Sequence, residues 1–356
     1  MAIIDDPSAY FQTTLYTGNG GTNAITNTGN SDLQPDWIWF KRRDGADNHI
    51  VFDVVRGVTK AIYPDLDNLE DTLSNSLSSF NSDGFTLGAD TASGGSINGS
   101  SETNVAWCWK AGTSFTNDAS STGIGSMDSA GSVNEEAGFA IVSYTGNETA
   151  STLKHGLSTV PQMIIVKGRI AARDWVVGQH TQGWTKSAYL NEANAFSNQT
   201  HWNNTAPTSS VFTIEGGSNS NVNTNNAAYI AYVFSERQGY SKFGSYTGNG
   251  NADGTFIYTG FKPAWVLVKR TNASGNNWQL HDIKRTQYAQ PINHRIAPNV
   301  NLAEQTGDTL GFDFVSNGFR PNNSNPDYNG SGSEYIYMAF AENPFVASNF
   351  VTTTAR

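Results

Sequence analysis

Nine tryptophans in a chain of 356 residues raise the first chemical question, because an indole face stacks on the apolar face of a sugar ring. Five of them, Trp37, Trp39, Trp107, Trp109 and Trp265, lie inside apolar or alternating strand-like runs and are expected in the core. Trp175 and Trp278 head apolar stretches that read as inner strands. Trp184 and Trp202 fall in polar, loop-like sequence near His180 and His201, so these four residues are the candidate ligand contacts.

A second constellation is Asp53-Val-Val-Arg56, echoed by Asp282-Ile-Lys-Arg285. An acid and a base three residues apart can form a charge-assisted hydrogen bond. A catalytic site would not be expected to recur within one chain, so Asp53/Arg56 and Asp282/Arg285 read as structural pairs. Metal chemistry has little support: the six histidines are scattered, and Cys108 is the single cysteine, which excludes an intrachain disulfide and a Cys-based zinc site. Oxygen-rich stretches at Asp65-Leu-Asp67-Asn68 and Asp5-Asp6 lack the glycine and closing glutamate of a calcium loop. No metal or other cofactor is expected. Glu135 and Glu136 are adjacent and cannot flank one glycosidic bond, and no nucleophile elbow, phosphate loop or His-Glu-x-x-His occurs. The chain reads as a non-enzyme.

The elements that position these residues come three times. Tyr16-Thr17-Gly18-Asn19 returns at Tyr144-Thr145-Gly146-Asn147 and Tyr246-Thr247-Gly248-Asn249. A proline-led apolar run ending in lysine follows each, at Pro35 to Lys41, Pro161 to Lys167 and Pro263 to Lys269. Ser82-Asp83-Gly84-Phe85, Ser209-Ser210-Val211-Phe212 and Ser316-Asn317-Gly318-Phe319 come next, and then an aromatic closing strand, Val105–Trp109, Ile230–Phe234 or Ile336–Phe340. The Asp-Arg pair is replaced in the second copy by Gln179 and Gln182.

These correspondences divide the chain into an N-terminal arm (1–9), unit one (10–112), a Ser/Gly-rich linker (113–137), unit two (138–239), unit three (240–346) and a C-terminal tail (347–356). The linker composition is that of a flexible or extended connection and a hinge. Gly, Ser, Thr and Asn abound between β-branched and aromatic residues, and only 15% of the chain is charged, a composition of short strands and tight turns. The proline-led runs do not alternate, as for a strand covered on both faces; the closing strands put large residues on one side and small ones on the other. The expected fold is all-β: three tandem β-sandwich repeats of jelly-roll or lectin-like type, with a three-fold barrel or propeller as the weaker alternative.

A net charge of −10 without basic runs argues against nucleic acid and anionic membrane surfaces. No apolar stretch approaches a spanning helix, and residues 1–7 lack the basic-then-apolar pattern of a secretory signal. The expectation is therefore synthesis in the cytoplasm, no membrane insertion and no N-glycosylation.

The Tyr-Thr-Gly-Asn opening, the Pro35-Asp-Trp-Ile-Trp-Phe-Lys41 strand, the Ser82-Asp83-Gly84-Phe85 turn and the ending Ala339-Phe340-Ala341-Glu342-Asn343-Pro344-Phe345 together resemble a repeat family of uncharacterised domains common in tailed bacteriophages, marine ones especially. The resemblance implies a virion component and supplies no catalytic residue. A tail-associated fibre or receptor-binding component is the leading expectation, with other virion proteins and host cell-surface glycan as partners and a homotrimer if it is a fibre. Capsid decoration or a head fibre is the second expectation, and a host-polysaccharide depolymerase the third. Release by lysis would account for a virion location without a signal. The middle unit, which lacks the Asp-Arg pair, is where a partner-specific surface is expected.

Overall fold

The computed structural model describes residues 3–90, 96–217, 220–307 and 309–344. The predicted tail, 347–356, lies outside them. The protein is all-β, and its sheets are antiparallel and open. Unit one contributes β1 (Phe11–Thr17), β2 (Trp37–Arg42), β3 (Ile50–Asp53) and β4 (Thr103–Trp109), hydrogen-bonded in the order β1-β4-β2-β3. Two further strands follow, β5 (Thr113–Asn117) and β6 (Ser129–Asn134). Unit two continues with β7 (Phe139–Thr145), β8 (Met163–Gly168), β9 (Val176–Gln179), β10 (Lys186–Tyr189), β11 (Ser197–Asn198) and β12 (Ala228–Phe234), giving the sheet β5-β6-β7-β12-β8-β9-β10-β11. Unit three supplies β13 (Ser241–Thr247), β14 (Phe261–Arg270), β15 (Gln279–Asp282) and β16 (Glu334–Pro344), ordered β13-β16-β14-β15.

The same four-strand order thus occurs three times: opening strand, closing strand, proline-led strand, inner strand. Register fixes the equivalences. Trp37, Met163 and Trp265 lie opposite Trp109, Phe234 and Phe340 of their closing strands. Because side chains alternate across a strand, each closing strand serves two cores. Trp107 and Trp109, Tyr232 and Phe234, and Met338 and Phe340 all enter one cluster shared by the three units. Ala106 and Cys108, Ala231 and Val233, and Tyr337 and Ala339 face three separate clusters, one per unit. Small sheets cover those outer clusters, such as Asn23–Ile25 with Phe85–Leu87 and Leu77–Phe80, or Ser151–Lys154 with Val211–Ile214.

This explains the strands that do not alternate in hydrophobicity. Trp37 and Trp39 face the shared cluster, whereas Ile38 and Phe40 face the cluster of unit one. Burial of apolar surface on both faces of every main sheet is the dominant stabilising contribution. The units are therefore not separate beads, because their largest core belongs to all three.

The segment predicted as a flexible linker is ordered structure. Residues 113–117 and 129–134 form a hairpin whose second strand pairs with β7, so the linker widens the sheet of unit two. Small residues made it look like coil, and their smallness has a packing reason. A Cβ at Gly131 would lie 1.9 Å from the carbonyl oxygen of Ile141. The N-terminal arm is also attached: Ile4 N donates to Gln238 O, and Asp6 accepts from Ser8 and Ser31. Among the described residues no helix is long and apolar enough to cross a membrane.

Candidate functional site

The Asp-Arg pairs lie where units meet, and their geometry follows from the turn after each inner strand. Asp53 Oδ1 accepts Arg56 N at 2.9 Å and Asp53 Oδ2 accepts Arg56 Nε at 2.6 Å. Asp282 repeats this with Arg285, at 2.9 Å and 2.5 Å. All four side chains are fully buried. Each guanidinium also donates through Nη2 to its own inner strand, Arg56 to Val51 O and Arg285 to Leu280 O, both at 3.0 Å.

The acid of each pair takes one more bond, from the next unit. Tyr232 Oη donates to Asp53 Oδ2 at 2.8 Å, and Trp107 Nε1 donates to Asp282 Oδ2 at 3.0 Å. Tyr232 and Trp107 occupy the same position of their closing strands, and Met338 occupies it in the third. Unit two has Gln179 in place of the acid, and the closing strand that would face it carries Met338, which has no hydrogen to donate. The acid and its donor are absent together.

A second carboxylate lengthens each pair into a chain. Glu70 meets Arg56 of its own unit at 3.4 Å and Arg169 of unit two at 2.8 Å. Glu304 meets Arg285 at 2.9 Å, and across the junction Arg43 of unit one at 2.8 Å. Burial alone would raise the Glu304 carboxyl; Arg285 and Arg43 overcome it and hold it at about 2. His294 also lies against Glu304, at 2.9 Å. The place of these glutamates in unit two belongs to Phe196, whose backbone N donates to Thr271 O as Glu70 N does to Arg169 O and Glu304 N to Arg43 O.

Further repeats bind unit to unit in the same order. Trp175 Nε1 donates to Tyr63 O, Trp278 Nε1 to Tyr189 O, and the imidazole of His49, at the equivalent position, bonds Ala297 O. Burial keeps His49 neutral, so Nδ1 accepts from Trp39 Nε1 while Nε2 donates to that carbonyl. The three lysines ending the proline-led strands are buried and spend their ammonium hydrogens on carbonyls. Lys41 bonds Arg42 O and Gly45 O, Lys167 bonds Asp67 O and Arg173 O, and Lys269 bonds Ala193 O and Asn276 O. Burial lowers each of the three to about 8.

The Tyr-Thr-Gly-Asn turns are clamped from inside. Asn98, Asn223 and Asn329 are fully buried, and each accepts the backbone N–H of the turn asparagine, Asn19, Asn147 or Asn249, at 2.9–3.1 Å. Each also donates to the carbonyl two residues further on, Gly21, Thr149 or Asn251. The turn glycine is required by close approach: a Cβ at Gly18 would lie 2.1 Å from Gly99 O. The recurring lysines were visible in the sequence but their burial was not, and the clamping asparagines escaped the reading although they too recur once in each copy.

The four candidate ligand residues do not form a site. Trp184 and Trp202 are buried, 8% and 1% exposed, and pack edge to face with centroids 5.5 Å apart. The reason lies on the neighbouring strand, where Gly178 holds the place of Phe52 and His281 in the other units. A Cβ at Gly178 would stand 2.5 Å from the Trp202 ring and 2.7 Å from that of Trp184. The two indoles fill the volume a side chain at 178 occupies elsewhere. His201 is buried beside them, edge to face with Tyr189 and 4.0 Å from Glu215. His180 is exposed, yet it bonds Phe243 O of unit three across the junction.

A family profile described as a domain of unknown function, DUF7483, matches residues 6–344. The chain belongs to this family. No curated protein and no solved structure matches it. The DUF7483 match spans all three units, as the shared core does. Among the described residues of this DUF7483 chain, no group of three or more His, Cys, Asp or Glu could hold a metal ion. Cys108 is buried and its thiol is pushed up by burial, away from the reactive thiolate.

Proposed function

We propose that this chain is a non-catalytic structural and adhesive component of a tailed-bacteriophage particle, a tail-associated fibre or receptor-binding protein, built from three tandem sandwich repeats of one ancestral unit. One observation carries the reading. The two Asp-Arg pairs, Glu70, Glu304, His49 and the indoles of Trp107, Trp175 and Trp278 are directed inward, where they bond unit to unit, while the turns left outside are rich in Asn, Ser, Thr and Gly. Such a body supplies rigidity and a neutral hydrogen-bonding exterior, the properties of an adhesin more than of an enzyme. The motif resemblance to phage repeat domains points the same way. Capsid decoration is the second reading, favoured by the single shared core, which makes a compact block rather than a string of domains.

Gold-labelled antibody on intact particles tests this. Label at the tail, with a few tens of copies per particle or fewer, is the expected result. Hundreds of copies over the head would establish decoration instead, and absence from purified particles would overturn both. Release of reducing ends from host polysaccharide by the pure protein would overturn the non-catalytic assignment.

A further inference from the structure

Among the described residues the hairpin β5–β6 has no counterpart in units one and three, and a groove of about 640 Å³ lies against it. That volume falls within the roughly 300–1,000 Å³ of small-ligand sites. Its floor is the sheet face that continues outward from Ile141 and Ile230 of the shared core. Past those residues the side chains become small: Ser143 pairs with Ala130 on one side, and Thr145 with Ala228 on the other. In unit one the place of Ser143 is held by Leu15, 36% exposed.

The groove's polar groups are of two kinds. Asp118 and Asp128 lie in the turn of the hairpin, both exposed, with Asp128 Oδ1 held by Ala119 N at 2.8 Å. Hydrogen bonds from Ser120 and Ser121 keep the Asp118 carboxyl low and therefore ionised. Asn147, from the Tyr-Thr-Gly-Asn turn, and Arg169 also line the groove. Arg169 is already neutralised, with Nε and Nη2 bonded to Glu70 at 2.8 and 3.0 Å.

We infer that this groove binds a neutral, hydroxyl-rich oligosaccharide, an inference that rests on the adhesive reading and names its ligand class. Two carboxylates beside a paired guanidinium leave the groove net negative, which disfavours phosphate, sulfate and uronate groups. Sugar hydroxyls satisfy both kinds of lining group, donating to Asp118 and Asp128 and accepting from the Asn147 amide. A peptide would want a deep apolar pocket for an anchoring side chain; Met127 and Tyr144, the large apolar residues of the lining, are buried in the core of unit two and leave a floor of Ala, Ser and Thr. The candidate surface of the middle unit is thus its hairpin and not the buried Trp184, Trp202 and His201.

The test is an array of neutral oligosaccharides of hexose and N-acetylhexosamine and of acidic ones, probed with the full chain. Titration of the best hit against Ser143→Trp, which fills the floor, and Thr145→Tyr, at the exposed rim, follows. Neutral hits whose Kd rises at least tenfold in both variants, with Tyr258→Ala of unit three unchanged, are expected. Circular dichroism melts establish that the variants fold, and the rim variant keeps the test decisive if Ser143→Trp does not. Binding dominated by acidic glycans, neutral hits retained by the folded variants, or no array binding would each overturn the groove. A protein found at the tail that binds no array glycan refutes this inference alone. Groove-dependent binding by a protein absent from particles refutes the virion reading alone.

Discussion

Where unit one meets unit two, and where unit three meets unit one, a carboxylate, a guanidinium and a donor from the neighbouring closing strand lie fully buried. Where unit two meets unit three, Gln179, Phe196 and Met338 stand at the corresponding places. In place of the ion-paired set this junction has Gln179 Nε2 reaching Gly244 O at 3.4 Å and His180 reaching Phe243 O at 3.0 Å, beside the Trp278–Tyr189, Phe196–Thr271 and Lys269–Ala193 bonds. The difference teaches that at these junctions the buried acid, its arginine and its donor occur as a complete set. Desolvating Asp53 or Asp282 is offset by an arginine, backbone N–H groups and a hydrogen from the next unit, and a junction that lacks the acid also lacks its donor. The neutral junction is also the one whose units join directly through Ser235 to Gly239.

The strongest test of this comparison removes one member of a set. Asp282→Ala or Asp53→Ala leaves a guanidinium buried without its acid and should cost about 3–5 kcal/mol in denaturant unfolding. An effect below about 1 kcal/mol at both sites would show the charges to be incidental.

A change of opposite sign should come from Asp65→Asn, beside the junction of units three and one. Asp65 Oδ1 accepts His49 N, as Asn191 and Asn299 accept Trp175 N and Trp278 N in the other units, but its Oδ2 is buried without a partner. Burial pushes this carboxyl up to about 7 from an ordinary 3.8, and the bond from His49 and the charge of Lys41 offset only part of that rise. With the folded value above the unfolded one, the protonated form is favoured in the fold. Its contribution is complete below pH 3.8 and is lost as pH rises through 7. Asp65→Asn should therefore stabilise by about 1–3 kcal/mol at pH 8 and by little at pH 4, read from unfolding curves at both values. An equal gain at the two pH values would contradict the assignment.

Importing the neutral set sharpens the comparison further. Asp53→Gln, Arg56→Gln and Tyr232→Met together should lose less than about 2 kcal/mol, and so less than Asp53→Ala alone, because no charge is stranded. The smallest effect is expected at the neutral junction itself: Gln179→Ala should cost about 1 kcal/mol. A Gln179→Ala loss as large as that of Asp282→Ala would erase the distinction between the junctions.

Much of this was legible in the chain. The order of the repeated motifs located the equivalent strands, and the apolar runs without alternation announced sheets covered on both faces. The recurrence of Asp-x-x-Arg marked the two pairs as equivalent places of the repeated unit, and both lie buried between units. What could not be read was which partner lay across each interface, since that depends on how the three sheets share a core. Gly178 shows the limit well: only the pairing of β8 with β9 reveals that its missing side chain is replaced by Trp184 and Trp202. The hairpin at 113–134 was hidden for a related reason, because a strand of Ser, Ala and Gly carries little propensity of its own and is held by its neighbour β7.

Glu304 joins unit three to unit one, beside the Trp107–Asp282 and His49–Ala297 bonds, and this closure alters the mechanics of the whole body. In a linear array a load applied at one end peels the terminal module away while its neighbours stay intact. Here no module is terminal, since each touches both of the others through the common core and its junctions. To detach any one, a pull must open two interfaces together, so rupture should occur in one step at high force instead of a sawtooth of separate events. Under tension a closed ring of three is expected to yield as one body.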